Sequence, residues 1–245
     1  VERGKSSSRK VVGDFTLRAQ AVIVASGGIG GNHDLVRQNW PKRLGEAPKN
    51  MISGVPEHVD GRMIGITEAA GARLINRDRM WHYVEGVQNY APIWNRHAIR
   101  IIPGPTALWV DATGKRLPAP NFPGFDTLGT LEHLRSTGYD HSWFILNQRI
   151  IGKEFALSGS EQNPDLTGRS IRKTLGRILP SALTPVAKFQ NQGADFITTD
   201  NLPELVGAMN KLTGSFLVDA ARLTYEVEAR DREIENVFTK DAQIQ

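Results

Sequence analysis

The stretch from residue 21 to residue 36 constrains the fold of this chain more than any other. It opens with a short apolar run, Ala21-Val22-Ile23-Val24-Ala25, which is typical of a strand covered on both faces. A glycine turn follows, Ser26-Gly27-Gly28-Ile29-Gly30-Gly31, and Asn32 can then cap a helix that continues through Val36. The pattern predicts a strand, a tight turn and a helix N-terminus, where small residues let a phosphate or a ribose approach the backbone amides.

The neighbouring segments extend this α/β pattern to about Asn76. Residues 11–17 alternate loosely and are rich in β-branched side chains, which predicts an edge strand of the antiparallel type. Residues 59–61 open a second helix with apolar side chains at helical spacing, and Gly71 is predicted to end it. Residues 72–75 are then predicted to return as a strand.

From Arg77 onward the pattern changes to α+β. Many prolines and four of the five tryptophans fall between residues 81 and 143, so loops dominate there. Strands are predicted at 107–110 and 142–146, and helices at 149–157, 169–179, 202–209 and 220–234. The third helix carries a capping box, in which Asn201 accepts from the first turn and Glu204 reaches back to it. The fourth pairs Glu226 with Arg230 on its exposed side.

Composition excludes several classes of function. The net charge of +4 comes from basic residues that are scattered through the chain, so no nucleic acid is expected as a partner. The absence of cysteine removes disulfides, thiolate metal sites and thiol nucleophiles, and the histidines lack metal-ligand spacing, so no metal is expected. No apolar run approaches the roughly 20 residues that span a bilayer. We therefore expect a cytoplasmic protein without membrane insertion, and the sequence does not indicate an oligomeric state.

The glycine turn matches neither of the two best-known phosphate-binding motifs. If Gly28 and Gly30 are the first two glycines of a dinucleotide fingerprint, the third position is His33. The Lys-Ser/Thr pair of a P-loop is also missing. On its own, the turn favours a purely structural connection over a nucleotide site.

Four motifs in order resemble one known family. Ala25-Ser26-Gly27-Gly28 is similar to the turn with which flavoproteins of the succinate dehydrogenase and fumarate reductase superfamily return to their FAD-binding domain. Asp60-Gly61-Arg62-Met63, with the small residues at 69–72, resembles the helix and strand that come next. The segments at 114–117 and 199–205 resemble a turn and a helix start of the cap domain. The segments at 79–86 and 155–164 further resemble bacterial FAD-binding dehydrogenases related to 3-ketosteroid dehydrogenases.

The resemblance implies FAD as the cofactor, bound by Ala25, Ser26, Gly27, Gly28, Asp60 and Gly61. It implies a partial FAD-binding Rossmann-like domain at 1–77, a substrate cap domain at 78–236 and a return segment at 237–245. The family's first Gly-x-Gly-x-x-Gly unit and its last glycine-rich FAD segment have no counterpart here. We therefore expect an internal fragment that, by itself, binds FAD weakly or not at all.

Three residues are candidates for catalysis: His82, Tyr83 and Arg100. His82 lies where fumarate reductases carry a substrate-binding histidine, although a loop histidine satisfied by backbone explains it equally well. The proton-delivering arginine of those enzymes falls near Pro103, so fumarate reduction is disfavoured. Arg100 is then either a substitute cation or a surface ion-pair partner. Tyr83 and Tyr90 can act as phenolic acids, as in ketosteroid dehydrogenases, or serve in packing.

The residues and the resemblance together predict a flavin-dependent dehydrogenase. It would move hydride between a carbon–carbon bond and FAD, with a small, apolar molecule as substrate. The alternative is a noncatalytic α/β module that binds a nucleotide with the glycine turn and uses the cap region as an interaction surface. Nucleic-acid binding rests only on the charge of +4, and steep salt dependence would be required to support it.

Overall fold

A computed structural model describes residues 10, 13–159, 162–169 and 184–238. The described strands are β1 (Gly86–Gln88), β2 (Ala98–Ile102), β3 (Leu108–Asp111), β4 (Ser142–Ile145) and β5 (Ala156–Leu157). The described helices are α1 (His33–Gln38), α2 (Arg62–Ala69), α3 (Thr127–Ser136), α4 (Gln148–Lys153), α5 (Pro164–Thr167), α6 (Thr184–Gln192), α7 (Leu202–Thr213) and α8 (Ala220–Glu235). A 3-10 turn lies at Lys42–Leu44.

The first sheet is antiparallel, with β2 between β1 and β5. Gly86 lies opposite Arg100 across β1 and β2, and Ile101 lies opposite Leu157 across β2 and β5. Ala98, Ile99 and Ile101 are buried in β2, whereas Arg100 is only partly buried. The sheet therefore presents one cation from an otherwise apolar central strand.

The second sheet is the β3–β4 pair, in which Trp109 lies opposite Phe144 and their rings stack 4.5 Å apart. β3 is apolar and almost fully buried, which is why it is easily predicted from the sequence. Its residues Leu108 and Val110 pack on Met209 of α7 and Leu223 of α8. The strands predicted at 107–110 and 142–146 and the helices predicted at 202–209 and 220–234 are thus confirmed, with small shifts of their ends.

The hydrophobic core lies in the later part of the chain. One cluster joins the β1–β2–β5 sheet to α4 and α6, with Ile99, Phe155 and Phe189 at its centre. A second cluster joins β3 to α7 and α8. Among the described residues before Pro41, none is buried. The segment that carries the glycine turn therefore has little core of its own.

Three predicted strands are wrong for this structure. The described part of 11–17 and the whole of 21–25 and 72–75 have no strand pairing, and their side chains are exposed. Val22 is 81% exposed and Ile23 is 92% exposed. A strand forms only when a neighbour accepts and donates its backbone hydrogen bonds, and no described segment runs beside these residues in that way. The two predicted helices between them are confirmed as α1 and α2.

The helical third also needs corrections. The helix predicted at 149–157 ends at Lys153, and Ala156–Leu157 pairs with β2 instead, because its apolar side chains join the sheet core. Arg230 is not on the exposed side of α8: it is buried, and its guanidinium donates to the carbonyl of Thr106. Residues 170–179 of the remaining predicted helix lie outside the described residues. Helices α3 and α6 and strands β1, β2 and β5 are not predicted by the sequence patterns above.

Candidate functional site

The glycine turn packs against the loop that leads into α2. The amide of Gly31 donates to the carbonyl of Val59 over 2.8 Å, and the Asn32 side-chain amide donates to the carbonyl of Asp60 over 3.4 Å. Asn32 also caps α1, since its side-chain oxygen accepts from the amide of Leu35 at 3.0 Å. The two motifs singled out in the sequence, around Ser26 and around Asp60, are therefore neighbours in space.

Close packing explains several of the glycines without any ligand. A Cβ on Gly31 would lie 2.5 Å from the carbonyl oxygen of Pro56, and one on Gly61 would lie 2.6 Å from the Leu35 side chain. Gly61 also has φ +79°, a backbone conformation that favours glycine. A Cβ on Gly61 would also lie 2.8 Å from the Ile29 side chain, so both glycines keep the turn close to the α2 loop. The structural interpretation of the turn is thus correct for its second half.

The first half of the turn is different, because it lies open to solvent beside a groove of about 460 Å³. Five of the six predicted cofactor residues line this groove: Ser26, Gly27, Gly28, Asp60 and Gly61. Ala25 is exposed next to the groove but does not line it. A Cβ on Gly28 would meet nothing within 4 Å, so the backbone there is accessible to a molecule in the groove.

Asp60 is held ionised at the rim of the groove. One carboxylate oxygen accepts from the Arg62 amide at 3.0 Å, and the other lies 2.8 Å from the Arg62 guanidinium. The backbone hydrogen bond from Arg62 is the main cause that holds the pKa of Asp60 below its ordinary value, and the hydrogen bond and charge of the Arg62 side chain add to it. The rim therefore offers a fixed acceptor of hydrogen bonds.

The N-terminus of α1, by contrast, is not open to an anion. α1 is only six residues long, and its first turn is already capped by Asn32 and carries the acidic residue Asp34. The groove is lined by the glycine turn and by α2, not by the start of α1. Any contact with a phosphate would be made by the backbone of the turn.

A larger cleft, of about 1650 Å³, adjoins the groove. The two share Gly28, Ile64 and Leu74 as lining residues. All three predicted catalytic residues, His82, Tyr83 and Arg100, line this cleft. The structure thus brings the predicted cofactor residues and the predicted catalytic residues to adjoining cavities.

His82 is half-buried against the indole of Trp40, with ring centroids 5.0 Å apart. Its Nε2 atom is buried and has no hydrogen-bond partner. Burial of the ring, with the nearby charge of Arg43 as a second cause, lowers the pKa of His82 below its ordinary value. At neutral pH the ring is therefore uncharged, and it is not a loop histidine satisfied by backbone at Nε2.

Tyr83 and Arg100 are in direct contact. The guanidinium carbon of Arg100 lies 4.2 Å from the centroid of the Tyr83 ring, a cation–π geometry. Arg100 Nε also lies 3.7 Å from Oε2 of Glu85, which is an ion pair but too long for a hydrogen bond. Arg100 is thus a partly buried cation held between an aromatic ring and a buried carboxylate, not a surface ion-pair partner.

Unpaired polar atoms concentrate in the cleft. In the part of the chain that the structure describes, seven buried side-chain nitrogen or oxygen atoms lack a hydrogen-bond partner, and every one belongs to a residue that lines the cleft. These residues are Trp40, His82, Glu85, Arg100, His141, Trp143 and Asp195. Because buried polar groups are normally paired, this concentration indicates a site that is built to meet polar groups of a ligand.

Five of these residues are not candidates in the sequence analysis: Trp40, Glu85, His141, Trp143 and Asp195. Glu85 falls within the segment at 79–86 that resembles the dehydrogenase group, and this resemblance is the sequence signal that could have identified it. Asp195 accepts from the amide of Gln88 at 2.8 Å, and burial raises the pKa of its carboxyl. Tyr90, in contrast, packs edge-on against Phe189 at 5.0 Å and belongs to the core, as its packing interpretation predicts.

Ser53 ties the glycine turn to the sheet. Its hydroxyl lies 2.8 Å from the carbonyl oxygen of Val55 and 3.0 Å from that of Gly30, on the turn, and it can donate to one of them at a time. Its backbone amide donates to the carbonyl of Arg96, and its carbonyl accepts from the amide of Ala98 at the start of β2. Ser53 is itself buried. Ser53 therefore contacts both the glycine turn and the residues that lead into β2.

Two further classes of site find no support in the described residues. Those residues contain no group of three or more histidine, aspartate or glutamate side chains arranged to hold a metal ion. No helix among them is both long and apolar enough to cross a membrane.

Comparison with known proteins agrees with the geometry. A KsdD-like steroid dehydrogenase of Mycolicibacterium smegmatis is 62% identical over 242 residues, which is 99% of this chain and 44% of that protein. KsdD-like steroid dehydrogenases from two strains of Mycobacterium tuberculosis are each 60% identical over 243 residues, which is 99% of this chain and 43% of theirs. The chain therefore spans less than half the length of these curated relatives. No solved structure shows a significant match to it.

The family of FAD binding domains matches residues 6–245, which is almost the whole chain. This match confirms FAD as the predicted cofactor, and it agrees with the groove beside the glycine turn. Together with the relatives it confirms the predicted resemblance to flavin-dependent dehydrogenases of the ketosteroid type. On these grounds the chain belongs to the FAD binding domain family.

Proposed function

We propose that this chain is part of a flavin-dependent dehydrogenase that oxidises or reduces a carbon–carbon bond of a steroid-like substrate. Residues 1–77 would supply part of the FAD-binding domain, 78–236 the substrate cap and 237–245 a segment that returns to the FAD-binding domain. The observation that most directly supports the proposal is that the groove at Ser26–Gly28 adjoins the cleft lined by Tyr83 and Arg100. A cofactor in the first would lie beside a substrate in the second.

The residues of the groove fit a dinucleotide-like cofactor. The accessible backbone at Gly28 allows close approach, and Asp60 offers a hydrogen-bond acceptor for a hydroxyl group. FAD, when bound, supplies an acceptor or donor of hydride at its flavin ring. Residues 26–28 and 60–61 would hold part of the cofactor and keep it against the cleft.

The lining of the cleft favours an apolar substrate with few polar groups. It contains many apolar side chains, among them Leu131, Phe144, Leu146, Ile151 and Phe155. The relatives are named steroid dehydrogenases, and a steroid has this mixed chemistry. Tyr83 is half exposed, and the Arg100 guanidinium lies over its ring. In the proposed reaction the phenol of Tyr83 would exchange a proton with the substrate while Arg100 binds a carbonyl oxygen.

The rest of the proposed protein would complete the cofactor site. The relatives are more than twice as long as the chain, and an FAD site of this kind is assembled from separate segments. The exposed apolar residues Val22, Ile23 and Ile75 are those predicted to form strands, and they would pair with the strands that the longer protein contributes. We place this protein in the cytoplasm, without a nucleic-acid partner.

A substitution at Gly28 tests the cofactor site directly. A Cβ at Gly28 meets nothing within 4 Å, so in the full-length protein Gly28→Leu should extend into the groove and lower FAD affinity by roughly tenfold or more. Gly65→Leu is the matched control, since Gly65 is also exposed, its Cβ would also meet nothing within 4 Å, and it does not line the groove. Flavin absorbance of the purified variants gives the measurement. Equal flavin content in both variants would contradict the assignment.

A noncatalytic nucleotide-binding module remains the competing function, and the isolated 245-residue chain distinguishes the two. A self-sufficient module would bind a flavin nucleotide without further sequence. Our proposal expects no complex tighter than micromolar when the chain is titrated with FAD and followed by flavin fluorescence. A tighter complex would favour the module.

A further inference from the structure

Glu85 is the most deeply buried charged residue at the cleft, and none of the roles above uses it. Its side chain is 3% exposed, and its Oε2 atom has no hydrogen-bond partner. The charge that faces it is Arg100, whose Nε lies 3.7 Å away. A buried carboxylate is costly unless a cation compensates it. Glu85 and Arg100 therefore form a nearly neutral pair at the wall of the cleft.

The position of Glu85 is fixed by the sheet. The Glu85 carbonyl accepts from the amide of Ile101, and the next residue, Gly86, lies opposite Arg100 in the β1–β2 register. Arg100 is fixed in turn, since its carbonyl accepts from the amide of Ser158 and its guanidinium lies over the Tyr83 ring. The carboxylate and the guanidinium are thus held at their separation by backbone pairing.

A cation that is held in place and balanced by a nearby carboxylate discriminates between anionic and neutral ligands. A free arginine attracts a carboxylate strongly. Here an anionic group that approached Arg100 would also meet the charge of Glu85, and in a partly buried site two like charges at such separations repel appreciably. A neutral carbonyl oxygen can still accept from Arg100 and meets little of this repulsion.

We propose that Glu85 is a positioning and specificity-determining residue, which holds Arg100 against Tyr83 and makes this part of the cleft accept a neutral carbonyl group in preference to a carboxylate. The inference rests on the proposed function, in which Arg100 binds the substrate carbonyl. It adds that the charge preference is set by a residue that does not itself contact the substrate. A merely structural ion pair would leave that preference unchanged.

The test compares two ligands of nearly the same shape with one polar group each: adamantane carboxylate, which is anionic, and adamantane carboxamide, which is neutral. Their dissociation constants are measured by calorimetry on the full-length protein. Wild type should prefer the carboxamide. Glu85→Gln, which keeps size and removes the charge, should shift the ratio of the two constants by roughly tenfold or more toward the carboxylate. Glu132→Gln, an exposed position outside the cleft, should leave the ratio at the wild-type value.

Arg100→Gln is the second variant, and it keeps the test decisive if Glu85→Gln folds poorly. With the cation removed and Glu85 retained, the ratio should move the other way, against the carboxylate. An unchanged ratio in the folded variants would overturn the inference, as would wild-type protein that binds neither ligand. Flavin content, recorded on the same samples, separates this result from the proposed function. A protein that carries flavin but shows no shift in the ratio loses only the role of Glu85.

Discussion

The glycines of this chain differ in their structural roles, although those of the turn cannot be distinguished in the sequence. Gly31 and Gly61 allow two backbone segments to meet at distances that a Cβ would prevent. Gly28, three residues away from Gly31, faces open space instead. The sequence does not tell which glycine is needed for packing and which faces open space, because that depends on residues 55–61 lying against the turn.

The sequence also identifies only some of the side chains that line the cleft. His82, Tyr83 and Arg100 are predicted from the resemblance, and they do line one cleft. Trp40 and Asp195 are not predicted, since they lie far from the motifs along the chain and approach the cleft only through tertiary packing. Sequence patterns indicate which residues are neighbours within one helix or strand, whereas these contacts join residues that are far apart in the sequence.

His82 makes the stability of the chain depend on pH. Its pKa is lowered in the folded state, chiefly by burial, so the unfolded chain binds more protons at mildly acidic pH. The stabilising contribution is present above about pH 6.5 and is lost as the pH falls through the lowered pKa. His82→Phe keeps a ring against Trp40 and removes the titration. Its free energy of unfolding should therefore fall less steeply between neutral and acidic pH than that of wild type.

Chemical denaturation at a series of pH values measures this difference. His58→Phe, at an exposed position, serves as the control and should follow the wild-type curve. Burial also lowers the pKa of His141, against the opposing charge of Asp140, so part of the pH dependence should remain in His82→Phe. Parallel curves for wild type and His82→Phe would show that the His82 ring is not desolvated.

At the scale of elements, amphipathic helices and fully apolar strands are predictable, and strands that depend on a distant partner are not. β3, β4, α7 and α8 carry their own signals, either continuous apolar residues or helical spacing with a cap. β1 and β5 are three and two residues long, too short for any periodicity, and exist because β2 lies between them. The apolar run at 21–25 has a strong strand signal and no partner among the described residues.

The start of α7 offers a quantitative test of one predicted element. Asn201 accepts from the amide of Glu204 at 2.9 Å, as the capping box requires. Glu204, however, accepts from the side-chain amide of Asn201 at 2.7 Å, not from its backbone as predicted. Asn201→Ala removes both bonds and should lower the free energy of unfolding by about 1 kcal/mol.

Glu204→Gln is the matched control, because its side-chain oxygen can still accept from Asn201. Thermal or urea unfolding of both variants gives the comparison. The helix packs its Val206 and Met209 into the β3 core, so loss of the cap should be felt by the whole cluster and not by the terminus alone. A loss as large for Glu204→Gln as for Asn201→Ala would show that the charge of Glu204, not the cap, stabilises this end.

For the whole molecule, the uneven distribution of the core has a measurable effect. The clusters lie almost wholly beyond residue 84, while the segment before Pro41 contributes no buried residue that the structure describes. Amides at 21–25 and 72–75 should therefore exchange rapidly in the isolated chain and slowly in the full-length protein, where neighbouring strands would pair with them.

Hydrogen exchange followed by mass spectrometry checks this expectation. Residues 98–102 of β2 provide the internal reference, since 98–100 pair with β1 and 101–102 pair with β5, and they should be protected in both proteins. Equal protection of 21–25 in the two proteins would mean that these residues do not join a sheet even when the longer chain is present.

The buried Ser53 has one more consequence. Its hydroxyl is within hydrogen-bond distance of the Gly30 carbonyl, and its backbone pairs with the residues that lead into β2. A movement of the glycine turn relative to β2 would therefore disturb these contacts. In the proposed function, the distance between the flavin and the guanidinium of Arg100 would then vary little, which would favour substrates of one length.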